Sequence, residues 1–300
     1  MLRKVVDISS EGLFLYHRRG FLFIEKDKLE VGRKPLDDIA VLVLSAQGVT
    51  ITKDILCALI KQGSVVVLCG EKYYPETVMT PLFGNYEFTG RLIKQINSSL
   101  PLKKRLWQSI IKEKIRNQAE LLESLGNLSH SVLLKQLADS VLSGDTTNRE
   151  AYSAREYWAV VFGKKFYRNQ DGGDMFNNYL NYGYAVLRAL VARSVCAAGL
   201  HPSLGLFHHN ELDNMCLVDD LMEPFRVIVD WMVIRFCRKN KNDQMIEWKK
   251  TVIHNLPDIK VTINNTISKL SIALDAYANS MYQSFVNKEN CLCIPKPILS

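Results

Sequence analysis

Between Gly205 and Arg226 the chain reads Gly-Leu-Phe-His-His-Asn-Glu-Leu-Asp-Asn-Met-Cys-Leu-Val-Asp-Asp-Leu-Met-Glu-Pro-Phe-Arg, a histidine pair, an acidic cluster and an arginine within 22 positions. Imidazole and carboxylate groups together hold divalent cations such as Mg²⁺ or Mn²⁺. At helical spacing Glu223 falls on the same face as Asp219 and Asp220. Carboxylates so arranged repel one another unless a cation sits among them, and that cation is either a metal or Arg226. His208 arrives from a loop marked by Pro202 and Gly205, as a ligand beside the acids or as a structural loop residue.

Two upstream segments bear on the same chemistry. Thr147-Asn148-Arg149-Glu150 begins with helix-capping residue types and runs into an aromatic-rich helix containing Tyr152, Tyr157 and Trp158. With the aromatic pair facing the core, Glu150 lies at its edge beside the small Ala151 and Ala154, where a carboxylate can reach inward. The other reading is that Glu150 only favours the positive helix N-terminus, worth ~0.3–1 kcal/mol. Farther on, Leu180, Tyr184, Leu187 and Val191 form a core stripe, while Asn177, Asn181 and Arg188 gather polar groups on another face. Those groups either orient ligands or phosphate or make ordinary helix-to-helix hydrogen bonds.

The elements that must position these residues follow from apolar patterning. Short runs at 5–8, 13–16, 21–24, 39–44 and 65–68 read as strands, with Arg18-Arg19-Gly20 as a hairpin turn. One helix over 52–62 puts Ile55, Leu56, Leu59 and Ile60 on one face and ends at Gly63. The spacing then turns helical. Phe83-Gly84-Asn85-Tyr86 reads as a connector, Pro101 opens a helix over 102–125, and further helices are expected at 131–142, 149–162, 175–198, 217–237 and 261–285. Lys103, Lys104, Arg105, Lys112, Lys114 and Arg116 decorate the 102–125 helix as a solvated face or a phosphate-contacting stripe. The expectation is an α+β protein: a small β-rich, sandwich-like domain over 1–82, a linker over 83–100 and a larger all-α domain over 101–300.

A 47% hydrophobic chain of 300 residues excludes disordered and fibrous classes, and a net charge of +7 suits a nucleic-acid or phosphate partner. The seven cysteines lack paired C-x-x-C spacing and read as buried free thiols in a reducing cytoplasm, with Cys291-Leu-Cys293 as a weak soft-metal candidate. The start lacks a signal-type apolar segment, and apolar stretches fall short of the ~20 residues of a membrane span, so a cytoplasmic protein with no membrane partner is expected.

Four ordered motifs carry a resemblance. Asn148-Arg149-Glu150 precedes an Ala154-Arg155-x-Tyr157-Trp158 helix; Leu180-Asn-Tyr-Gly-Tyr-Ala-Val-Leu-Arg188, Gly199-Leu-His-Pro-Ser-Leu-Gly-Leu-Phe-His208 and Asp220-Leu-Met-Glu-Pro-Phe-Arg226 follow. In this order they resemble the CRISPR-associated spacer-acquisition integrase, the first and most widespread of the Cas proteins. The wording is most similar to the form found in CRISPR systems with a single large effector nuclease.

The resemblance implies a β-rich dimerisation domain and a helical domain that holds Mg²⁺ or Mn²⁺ on Glu150, His208 and Glu223. Asp220 matches a supporting acid of the catalytic set, and His209 is the alternative ligand one residue along. It implies a DNA endonuclease and integrase: the 3′-OH of a captured DNA fragment attacks a phosphodiester at the edge of a CRISPR repeat by transesterification, as part of prokaryotic antiviral immunity. It also implies a homodimer that joins a second Cas protein in a heterohexameric complex. Holding double-stranded DNA requires cationic contacts to phosphate, for which Arg149, Arg155, Lys164, Lys165, Arg168, Arg188, Arg193 and Arg226 are the candidates. The rival readings are a stand-alone metal-dependent DNase and a catalytically inert DNA-binding scaffold.

Overall fold

A computed structural model describes residues 4–70, 75–81, 87–170, 173–240 and 243–299; the connector expected at 83–86 lies outside the described residues. The early apolar runs form strands β1 (Lys4–Ile8), β2 (Leu13–Arg18), β3 (Phe21–Lys26), β4 (Leu29–Pro35), β5 (Ile39–Leu44) and β6 (Thr50–Ile51). Helix α1 (Lys53–Lys61) and strands β7 (Val65–Cys69) and β8 (Pro75–Met79) follow. One four-stranded sheet has the order β1-β5-β7-β8 and a second the order β4-β3-β2-β6. Strands β2, β3 and β4 pair antiparallel, and β1 and β7 run parallel to β5. The hairpin between β2 and β3 turns on Arg19 and Gly20, with φ of 48° and 79°, the left-handed pair that a two-residue turn between twisted strands requires.

Strand β5 reads Ile-Ala-Val-Leu-Val-Leu and is buried at every position, as a continuous apolar run covered on both faces must be. Val41 and Val43, with Val65 and Val67, pack into the core that the helices share. Ile39, Leu42 and Leu44, with Val66, pack instead against Leu15, Leu22, Ile55 and Leu59. The first sheet thus forms the floor of the helical region as well as one layer of the sandwich.

The helices are α2 (Phe88–Ile96), α3 (Leu100–Ser124), α4 (Leu128–Asp139), α5 (Arg149–Val161), α6 (Met175–Ala197), α7 (Cys216–Met222), α8 (Arg226–Lys239), α9 (Met245–Asn255) and α10 (Leu270–Asn287). Helix α2 falls in the stretch read as a linker, and α9, which buries Trp248, was not expected. Ser99 caps α3 through the Leu102 N–H, with Pro101 in the first turn. The single helix expected over 217–237 is broken. Pro224 lacks a backbone donor, and Glu223–Phe225 forms a short 3-10 turn between α7 and α8.

The helix expected over 261–285 is also corrected at its start. Strands β9 (Lys260–Ile263) and β10 (Thr266–Lys269) pair there around Asn264 and Asn265, both at positive φ, before α10 begins. Strand β11 (Lys296–Pro297) adds to β9, so the C-terminal region is mostly helical rather than all-α. Helix α3 is the central post, packed against α4, α5, α7 and α8. Helices α6 and α8 approach so closely that a Cβ on Gly183 would lie 2.4 Å from Val229 Cγ1. None of the helices among the described residues is long and apolar enough to cross a membrane.

Candidate active site

The three acids of the helix face do not share one cation; Asp219, Asp220 and Glu223 each take a different partner. Asp219 binds Arg188 through both oxygens, at 2.6 and 2.7 Å, and Arg188 also reaches Asp213 at 2.9 Å. Asp220 is fully buried and accepts from the backbone N–H groups of Leu206, Phe207 and His208, at 2.6, 3.1 and 3.4 Å. Its Oδ1 also lies 2.6 Å from His208 Nδ1. One carboxylate therefore folds the loop and orients the imidazole at its tip, which supports the site but leaves Asp220 no free face for chemistry. The hydrogen bond that His208 donates to Asp220 raises the His208 pKa, against the effect of burial. The loop curls so tightly that a Cβ on Gly205 would stand 2.4 Å from the His208 carbonyl oxygen. Trp107, buried on α3, stacks parallel to Phe207 at 4.6 Å and meets the His208 ring edge-on. His209, one residue along, is exposed, whereas His208 is the histidine that Asp220 holds.

Glu150 comes from the first turn of α5. The cap of that helix is not Thr147 or Asn148 but buried Asp145, which accepts from the N–H groups of Arg149 and Glu150 at 2.9 and 3.0 Å. Lys114 Nζ, on α3, lies 2.6 Å from Glu150 Oε1 and 2.5 Å from Glu223 Oε2, while Arg226 Nε holds Glu223 Oε1 at 2.8 Å. Burial would raise the Glu223 carboxyl, but Arg226 and Lys114 outweigh it and hold the group well below the usual carboxylate range. Burial likewise opposes the Lys114 ammonium, and Glu223 and Glu150 more than compensate.

The reading of Lys114 as part of a solvated face is therefore corrected. The buried stripe Trp107, Ile111, Lys114 and Gln118 runs at spacings of four, three and four, so a lysine at a core position of α3 was the available signal. A further group went unnoticed in sequence: Tyr157 (2.8 Å) and Tyr184 donate to the two oxygens of buried Asp230. The guanidinium groups of Arg168 and Arg226 lie over the Tyr184 ring at 5.2 and 4.9 Å.

The cationic candidates divide. Arg155, Lys164 and Lys165 are exposed, and Arg149 is half-buried beside Glu150. Arg168 is held by the Asn177 and Asn181 side chains, at 2.9 and 2.5 Å, which settles the asparagine face as tertiary hydrogen bonding. Arg188 ties α6 to α7. Arg193 is corrected as a DNA contact, because it is 5% exposed and its guanidinium bonds Asp275. All seven cysteines are free thiols, but only Cys196 and Cys216 are buried.

Among the described residues no three His, Cys, Asp or Glu side chains stand close enough to hold a metal in this conformation. The donor set nevertheless suits a hard divalent cation: two carboxylates already converge on one positive charge, and the hydrogen bond that Nδ1 of His208 makes to Asp220 leaves Nε2 free to ligate.

Residues 6–255 match the family described as CRISPR associated protein Cas1. The chain is 42% identical over 208 residues to a CRISPR-associated endonuclease Cas1 of Neisseria meningitidis, covering 69% of this chain and 67% of the relative. It is 26% identical over 287 residues to a protein of the same description from Pyrobaculum aerophilum, covering 91% and 96%. Among solved structures, a casposase bound to an integration product superposes with a TM-score of 0.82 at 19% identity, covering 99% of this chain and 95% of that one. A Cas1 protein from Thermotoga maritima superposes at 0.78 and 14% identity, covering 96% and 99%.

Proposed function

The chain belongs to the CRISPR associated protein Cas1 family, and on that premise we propose that it is a divalent-metal-dependent DNA endonuclease and integrase that inserts captured fragments into a CRISPR array. The observation that carries this reading is the convergence of Glu150, from the first turn of α5, and Glu223, from the turn between α7 and α8, on a single cation beside a carboxylate-oriented His208.

Glu150, Glu223 and Nε2 of His208 are the groups that would hold the ion. Bound there, Mg²⁺ or Mn²⁺ supplies charge neutralisation at phosphorus and lowers the pKa of the attacking hydroxyl. Asp220 fixes the imidazole through Nδ1 and leaves Nε2 for the ion, and Trp107 beneath Phe207 keeps the loop from collapsing away. Arg226 is poised to pass from Glu223 to a phosphate oxygen, since its side chain remains 29% exposed. Arg149, Arg155, Lys164 and Lys165 extend the cationic surface from α5 into the segment that follows it, where a duplex backbone would lie.

The nucleophile in this reading is the 3′-OH of a captured DNA end, and the reaction exchanges one phosphodiester for another without an external energy source. The casposase neighbour bound to an integration product supports strand joining over hydrolysis alone. A neighbour solved as a Cas6-RT-Cas1–Cas2 complex, with a TM-score of 0.78, supports a second Cas protein as partner; in this reading the chain meets it as a homodimer. The test is joining of a 3′-OH oligonucleotide to a repeat-bearing plasmid with Mn²⁺: joined product is expected, and products only shortened would leave a stand-alone nuclease.

A further inference from the structure

Lys114 is the side chain for which the proposed chemistry has no use. Helix α3 delivers it from a buried stripe, it is 11% exposed, and its ammonium touches Glu150 at 2.6 Å and Glu223 at 2.5 Å. Glu150, Glu223, Lys114 and Arg226 together sum to zero charge. A divalent cation arriving between the same two carboxylates would place two more positive charges against an ammonium already there, in a site largely withdrawn from water. Metal and ammonium cannot both occupy that position.

We propose that Lys114 is a resident counter-cation that occupies the divalent cation's place. It holds Glu150 and Glu223 together in the metal-free protein, competes with the incoming ion, and moves to a DNA phosphate when the ion binds. This rests on the reading of Glu150, His208 and Glu223 as cation ligands. Lysine suits such a role because its charge is compact and rides on a flexible four-carbon stem. The displaced ammonium cannot remain buried and unpaired, so an anion must receive it. The anion that comes with substrate is phosphate. Metal and DNA then favour each other's binding, and by linkage the effect is reciprocal. A site built this way binds metal more weakly until nucleic acid is present, which limits damage to bystander DNA.

The test is Mn²⁺ binding to the intact, DNA-free protein, followed by electron paramagnetic resonance of the free ion, together with thermal unfolding in EDTA and in Mn²⁺. Lys114→Met should bind Mn²⁺ at least about tenfold more tightly than the wild type, because a like charge has left the site. Its unfolding temperature should drop in EDTA, where two carboxylates lose their cation, and Mn²⁺ should raise it by more than it raises the wild type. Lys114→Gln, which keeps a hydrogen-bond donor between the carboxylates, is the second variant and should also bind Mn²⁺ more tightly than wild type. If the wild type binds Mn²⁺ and both variants bind it no tighter, the counter-cation role is overturned while the metal site stands. If neither wild type nor variants bind millimolar Mn²⁺, the metal site itself falls, and the competition with it.

Discussion

His208 Nδ1 and Asp220 Oδ1 stand 2.6 Å apart, joining an imidazole that is 43% exposed to a carboxylate with no exposure at all. The buried partner does more than orient the ring, since its oxygens also receive three successive backbone N–H groups of the loop. Replacing Asp220 by alanine leaves those donors buried and unpaired, at roughly 1–3 kcal/mol each before relaxation. Urea unfolding of Asp220→Ala should show a loss of about 3–5 kcal/mol. A loss below about 1 kcal/mol would mean that the loop does not depend on this carboxylate.

Asp230 makes a pH prediction away from the ligand set. Burial raises its pKa from 3.8 to about 6, and the hydrogen bonds from Tyr184 and Tyr157 offset only part of the rise. A carboxyl whose folded pKa is raised contributes stability that is fully present below its unfolded pKa and is lost as pH climbs through the folded value. A rise of about two units corresponds to ~3 kcal/mol. The stability of the wild type relative to Asp230→Asn should therefore decline between pH 4 and pH 7 and level off on either side. Urea unfolding across that range checks it, and a relative stability that rose with pH would contradict the sign.

The two kinds of cation at the surface and in the core should separate in DNA binding. Lys164 and Lys165 are exposed, so removing both by alanine substitution should lower the slope of log affinity against log salt by about 1–2. Arg193, held by Asp275, should leave that slope unchanged when replaced by alanine. It should instead cost on the order of 1–3 kcal/mol of stability, because Asp275 keeps access to water and the loss is that of a half-exposed pair. Fluorescence anisotropy of a labelled duplex across a salt series distinguishes them. A reduced slope for Arg193→Ala would return that residue to the interface.

Much of this arrangement was legible in residue types. The five strand runs are short, β-branched and bounded by turns, so period and composition agreed, and the Arg-Gly hairpin needed only local backbone chemistry. Glu150, His208 and Glu223 were picked out as candidate ligands only through the ordered motifs of the family resemblance, since residue types alone left a structural role equally open. What could not be read depended on long-range geometry. Whether Lys114 pointed outward or inward turned on which face of α3 met α5 and α7, and the surrounding lysines disguised it. Pairing of Asp219 with Arg188, and burial of Arg193, likewise follow from helices meeting across the core rather than from spacing within one helix. The interruption at Pro224 was visible, and the strands at Lys260–Ile263 and Thr266–Lys269 were signalled by Asn264-Asn265, but apolar periodicity masked both.

The central claim is that Glu150, His208 and Glu223 act together on DNA phosphate. It is tested most directly by measuring Mn²⁺-dependent joining of a 3′-OH oligonucleotide to repeat-bearing plasmid for Glu150→Ala, His208→Ala and Glu223→Ala, each confirmed to be folded and to bind duplex as the wild type does. Each substitution should reduce joined product at least about a hundredfold, ~2.7 kcal/mol of barrier. Joining at the wild-type rate by all three variants would contradict the site.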